Sequence, residues 1–214
     1  MNESNIFQRR MLGILCALLA PCCVLFGLFG KDNLPYWFNS ISATYFANDK
    51  ILMIGLLFST AVFFFSYAGY DWKDRVASII QGITALGIIV FPCGEKHIAA
   101  VYSNIGLFNL PTATSNLIHS ISAIILFVTF GLNIMFLFTK TSGVMTNKKK
   151  IRNTIYIVCA CVIFLFSIFQ VLASSVFSKF FIGIPTTMIN EFMMLEAFSF
   201  AWLVKGETFK NLND

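Results

Sequence analysis

Thr186-Thr187-Met188-Ile189-Asn190-Glu191-Phe192-Met193-Met194-Leu195-Glu196-Ala197-Phe198-Ser199-Phe200-Ala201-Trp202-Leu203-Val204, closed by Lys205-Gly206-Glu207, has the length and apolarity of a membrane-spanning helix. Two carboxylates, Glu191 and Glu196, lie inside it. An ionisable group at bilayer depth costs at least roughly 2–3 kcal/mol on insertion scales, so it is kept with a partner or a task. The rest of the chain is where that partner must be found.

Composition agrees with a membrane setting. The 214 residues are 57% hydrophobic and 12% charged, about half the charge of an ordinary soluble domain. The net charge of +5 comes from basic residues that flank apolar runs. That is the signature of a multi-pass topology, and it argues against nucleic-acid binding. Cys16, Cys22, Cys23, Cys93, Cys159 and Cys161 fall in or beside apolar runs without zinc spacing, so neither a metal site nor a disulfide framework is expected.

The hydrophobic pattern predicts an all-α bundle: one transmembrane domain over 1–214, with spans at about 11–30, 51–69, 76–93, 116–138, 154–172 and 187–204. Gln8-Arg9-Arg10 precedes the first span, which is read as an uncleaved helix kinked near Pro21. With the N-terminus inside, eleven of the fifteen Lys and Arg residues fall on the inner side and four (Lys31, Lys50, Lys96 and Lys179) on the outer. Both termini are therefore expected in the cytoplasm. Asp74 is a candidate cap for the third helix, and Gly82 and Gly87 allow a neighbour to come close. Tyr36, Trp37 and Phe38 suit an interface, as do Trp202, Lys205 and Glu207 at the other side.

This topology sets depths. At 1.5 Å per residue, His119 and Glu191 lie roughly 5–8 Å in from the outer ends of their helices, and Glu196 roughly 15 Å in, near the midplane. Ser40, Ser42 and Tyr45 lie above the second span on the same side, and Ser122 is one turn below His119. These six residues (Ser40, Ser42, Tyr45, His119, Ser122 and Glu191) are the ligand-binding candidates, with His119 and Glu191 the acid/base pair if the protein is an enzyme. Glu191 and Glu196, five residues apart, are separated by about 140° around a helix and cannot form one paired-carboxylate centre. Gln81 and Glu196 are read as intramembrane structural polar groups. No cofactor or metal is expected, and the expected partners are membrane lipids and a small ligand.

Six strings carry a resemblance: Asn39-Ser40-Ile41-Ser42-Ala43-Thr44-Tyr45, Tyr67-Ala68-Gly69-Tyr70-Asp71, Ala85-Leu86-Gly87-Ile88-Ile89-Val90-Phe91-Pro92, Ile118-His119-Ser120-Ile121-Ser122-Ala123, Lys150-Ile151-Arg152-Asn153-Thr154-Ile155-Tyr156 and Ala201-Trp202-Leu203-Val204-Lys205-Gly206-Glu207. Together they resemble a family of small, functionally unassigned six-helix inner-membrane proteins of bacteria. The resemblance implies architecture and location, not an activity. A looser similarity, through Ser42 and His119, is to the ceramidase and progestin-receptor-like membrane hydrolases. Those carry seven spans and several metal-binding histidines, whereas this chain has His97 and His119 alone, so no metal ligand is transferred. The reading that follows is a non-enzymatic, lipid- or small-ligand-interacting bundle with a polar outer-leaflet pocket. A membrane-embedded lipid hydrolase is the alternative, and a proton-coupled carrier the third.

Overall fold

A computed structural model describes residues 3–28, 39–47, 49–141, 143–175, 180–181 and 184–213. The interfacial aromatics Tyr36, Trp37 and Phe38, with Lys31 and Lys179, lie outside these. Among the described residues the fold is all-α: α1 (Glu3–Leu28), α2 (Lys50–Ser66), α3 (Trp72–Val90), a short α4 (Lys96–Val101), α5 (Thr112–Leu132), α6 (Asn147–Ser175) and α7 (Thr186–Lys205). A two-residue antiparallel ladder, β1 (Asn104–Ile105) with β2 (Leu110–Pro111), lies in the connection between α4 and α5. Three helical stretches, Glu3–Gly27, Thr112–Phe138 and Asn147–Ser175, are long and apolar enough to cross a membrane. This identifies the chain as a membrane protein by physical criteria.

The helices differ from the sequence expectation at their ends. α1 starts at Glu3 and continues through Pro21, so Arg9 and Arg10 lie on the helix rather than before it. The span expected at 116–138 is α5 followed by a π-helical turn, Asn133–Phe138. At the start of α3 it is Asp71 that caps: its carboxylate accepts from the amides of Lys73 and Asp74. Asp74 in turn accepts from the amides of Tyr70 and Asp71, a capping box that satisfies otherwise orphaned donors.

The long helices form a ring in which α1 packs on α2, α2 on α3, α3 on α5, α5 on α6, α6 on α7, and α7 back on α1. Contacts at the ends show that neighbours alternate in direction. Arg10 near the start of α1 donates to the carbonyls of Gly206 and Glu207 just past the end of α7. Lys140 beyond the π-helical turn reaches Asp71 before α3 at 2.7 Å. Both described termini therefore sit at the same end of the bundle, together with the turn before α3 and the start of α6, where Arg152 donates to the Leu212 carbonyl.

Small residues permit the close crossings. A Cβ on Gly13 would stand 2.7 Å from the Leu203 side chain, and one on Gly87 would stand 2.5 Å from Ser122 Oγ. The ring's interior is aromatic. Phe130 and Phe198 stack with centroids 3.5 Å apart, and Trp202 meets Phe138 at 4.9 Å and Tyr67 at 5.1 Å, both edge-on. Trp202 has no exposed surface. It is a core residue and not the interfacial anchor its position near the helix end suggests, because the alternating ring turns that face of α7 inward.

Two outcomes follow from the α3 cap. Asp71→Ala removes the cap acceptor for the amides of Lys73 and Asp74 and is expected to lower the thermal midpoint in detergent. The hydrogen bond from Lys140 also holds the exposed Asp71 carboxyl below its ordinary range. A depressed folded-state carboxyl contributes stability above the unfolded carboxyl range and loses it as pH falls towards the folded value. The difference in thermal midpoint between wild type and Lys140→Met should thus be present at neutral pH and shrink on acidification.

Candidate functional site

At the end of the bundle opposite the termini, residues 39–47 fold as a turn followed by a short 3-10 helix, Ser42–Phe46. The turn is held by its own polar side chains: Thr44 Oγ1 donates to the Ile41 carbonyl at 2.6 Å, and Ser40 Oγ accepts from the Ala43 amide at 3.0 Å. That pattern suits an alternation of Ser and Thr with apolar residues, which satisfies backbone groups locally. The turn joins α7 through its backbone, where the Met188 amide donates to the Asn39 carbonyl at 3.0 Å.

Glu191 reaches out of α7 to this turn. Its Oε2 accepts from the Ile41 amide at 2.6 Å and from the Ser42 amide at 3.4 Å, while Oε1 faces Ser42 Oγ at 3.4 Å. Two amides at the start of a helical turn form a natural carboxylate site, since orphaned N–H groups and the local dipole both favour negative charge. The partner of the Glu191 carboxylate in α7 is therefore mainly backbone, from a segment 150 residues away.

Ser40 brings in a second carboxylate, donating from Oγ to Glu95 Oε1 at 2.8 Å. Glu95 follows the end of α3 and precedes α4. Electrostatic coupling joins Glu95 to Glu191, and both to the buried thiol of Cys93. Glu191, Ser42, Ser40 and Glu95 thus form one connected polar set, with Cys93 beside it. Asp49, which precedes α2, is 7% exposed, and neither of its carboxylate oxygens has a hydrogen-bond partner among the described residues. Burial raises its carboxyl above the ordinary range.

The other candidates take separate places. His119 is buried, and its Nδ1 donates to the Phe91 carbonyl at 2.9 Å, which fixes the proton of the neutral ring on that nitrogen. Its described hydrogen bond is to this carbonyl, not to Glu191. Ser122 packs against Gly87, and Tyr45 turns edge-on to Phe46 at 5.1 Å. Gln81 donates to the Thr129 carbonyl at 3.2 Å and accepts from Asn133 at 3.5 Å, a link between α3 and α5. Glu196 is joined to Ser199, whose Oγ donates to its backbone carbonyl at 2.9 Å, while its Oε1 is buried with no hydrogen-bond partner among the described residues.

Glu95 and Asp49 were legible as acids but not as site residues, because nothing in their spacing connects them to residue 191. A glutamate three positions after Pro92 reads as loop polarity; only the ring brings it to Ser40. Among the described residues, no group of three His, Cys, Asp or Glu could hold a metal ion. A groove of about 320 Å³ lies elsewhere, between α3 and the π-helical turn. It is lined by Trp72, Val76, Ile80, Leu132 and Phe136 among others, an apolar surface suited to an acyl chain.

Glu191→Ala removes the acceptor for Ile41 and Ser42. The expected result is faster hydrogen exchange at those two amides and a loss of about 1–3 kcal/mol, the cost of stranding a buried donor. His119→Ala should leave exchange at residues 41 and 42 unchanged. No protein-family model, curated protein or solved structure matches this chain, so the chemistry of the site rests on its own geometry.

Proposed function

We propose that this chain is a multi-pass protein of a bacterial inner membrane. Its six long helices cross the bilayer with both termini in the cytoplasm, and it binds a lipid head group or a small polar ligand without transforming it. The alternating ring supports the crossings. So does the position of eleven of the fifteen basic residues at or near the end that carries the termini, the arrangement favoured for cytoplasmic loops.

One observation carries the binding reading: Glu191 Oε1. Its partner Oε2 is anchored at 2.6 Å, whereas among the described residues Oε1 has the 3.4 Å contact with Ser42 alone, too long to be a strong hydrogen bond. A carboxylate positioned by backbone amides, with one oxygen weakly engaged and a second carboxylate linked through Ser40, is an acceptor surface. It suits a ligand bearing O–H or N–H donors, such as the hydroxyl or ammonium of a lipid head group. The orientation of His119 towards the Phe91 carbonyl favours binding over acid/base hydrolysis, which needs the imidazole within reach of the reacting proton.

Native mass spectrometry of gently solubilised protein tests the proposal. The wild type should retain a lipid or small molecule that Glu191→Gln, isosteric but uncharged, loses by about tenfold in occupancy, the scale of one charge-assisted hydrogen bond. Equal retention by wild type and Glu191→Gln would remove the site assignment. Recovery of a cleaved product in the wild type, absent from His119→Ala, would replace binding with hydrolysis.

A further inference from the structure

The groove between α3 and the π-helical turn lies between two polar ties. α3 packs along α5 but makes little contact with the turn that follows it. The space left there is about 320 Å³, within the roughly 300–1,000 Å³ usual for ligand sites. At its deep end Gln81 bonds the Thr129 carbonyl at 3.2 Å and Asn133 at 3.5 Å. Near its mouth Lys140 bonds Asp71 at 2.7 Å. Between these ties the walls are hydrocarbon, with Val76, Ala77 and Ile80 on α3 facing Leu132, Phe136 and Leu137.

Trp72 and Lys73 complete the groove at its mouth, and both are exposed, Trp72 by 71%. Such a tryptophan sits at the level of lipid head groups. The rise from Trp72 to Ile80 is about 12 Å at 1.5 Å per residue, under half of the roughly 30 Å hydrocarbon core. The groove therefore fits within one leaflet, on the side that carries the termini. Lys73 Nζ lies 5.8 Å from the centre of the Trp72 ring and makes no hydrogen bond or ion pair among the described residues. The two acids of the same turn are occupied. Asp71 is held by Lys140 and accepts from the amides of Lys73 and Asp74, and Asp74 accepts from those of Tyr70 and Asp71. One ammonium group is thus left available at the head of an apolar channel.

We infer that this groove docks an acyl chain of an anionic phospholipid, with the lipid's phosphate at Lys73 and its head group level with Trp72. The complementarity is twofold. Hydrocarbon walls take the chain, and the lysine takes the phosphate as a point charge. A zwitterionic lipid brings its own ammonium to the same place, so the net attraction favours the anionic one. A second copy of this chain fits less well. A symmetric interface centred on the groove sets one surface against itself, and so places Lys73 opposite Lys73 without a free acid. The groove is separate from the Glu191 site, at the opposite end of the bundle, and does not depend on it.

The test uses full-length protein in phosphatidylcholine nanodiscs. These are doped with either phosphatidylglycerol or phosphatidylcholine carrying a photoactivatable diazirine in the acyl chain, and adducts are mapped by peptide mass spectrometry. The phosphatidylglycerol probe should label residues 76–80 and 132–137 about fivefold more than the phosphatidylcholine probe, the scale of one lysine at an anionic surface. Lys73→Gln should abolish that preference and Lys73→Arg should keep it; the position is exposed, so neither change threatens the fold. Ala77→Phe, which fills the groove, should remove labelling there by both probes and leave that of the exposed Leu165 and Ile168 on α6 unchanged. Should Ala77→Phe fail to fold, the two Lys73 variants carry the test. Equal labelling by both probes in the wild type, a preference that survives Lys73→Gln, or a folded Ala77→Phe variant labelled as wild type overturns the inference. So does an Ala77→Cys variant that forms disulfide-linked dimers above the wild-type level, which would assign the groove to a second copy.

Discussion

Closure of the ring by α7 is the constraint on which the other contacts depend. An apolar helix carrying charges at both ends is stable only if each charge finds a partner, since a stranded polar group in an apolar setting costs several kcal/mol. α7 meets that condition at opposite ends by different means. Glu191 is held by the amides of the 39–47 turn, and Lys205 by a carbonyl and three aromatic faces. Both contacts require α7 to run antiparallel to α1, which Gly13 permits by accepting Leu203 at close range. The aromatic interior, from Phe130 on Phe198 to Trp202 on Tyr67, fills the space that closure creates.

The two ends of the bundle are thereby given opposite chemistry. One gathers Glu191 and Glu95, with Ser40 and Ser42 between them. The other gathers Arg9, Lys149 and Lys205 around tyrosine rings. Along the walls, neutral polar pairs link neighbours: Gln81 reaches α5, and Gln170 on α6 bonds both Thr187 and Asn190 on α7. Such uncharged bonds hold register between helices where hydrophobic burial does little to discriminate one apolar face from another.

Part of the site could be read from the chain alone. Topology by charge bias put Glu191 at the same end as Ser40 and Ser42, and the structure joins those three. The depth argument also put His119 at that end, but depth says nothing about azimuth: a residue at the right level on a helix still has a full circle of directions. The ring turns His119 towards the Phe91 carbonyl, and it brings in Glu95, whose loop position gave no reason to choose it. The same limit hid Lys205, which charge bias marks only as an inner-side cation and packing turns into a buried one.

The sequence by itself determined an all-α membrane protein, the order of its long helices, and the isolation of Glu191 and Glu196 from one another. Those follow from hydrophobic length and from 3.6-residue periodicity, both local properties. Tertiary structure alone decided which groups Glu191 and Lys205 meet, that Trp202 fills the core, and that Arg9 and Lys205 gather at the Tyr70 ring. These outcomes depend on how six cylinders rotate against one another, which small residues and aromatic packing set across more than a hundred residues of separation.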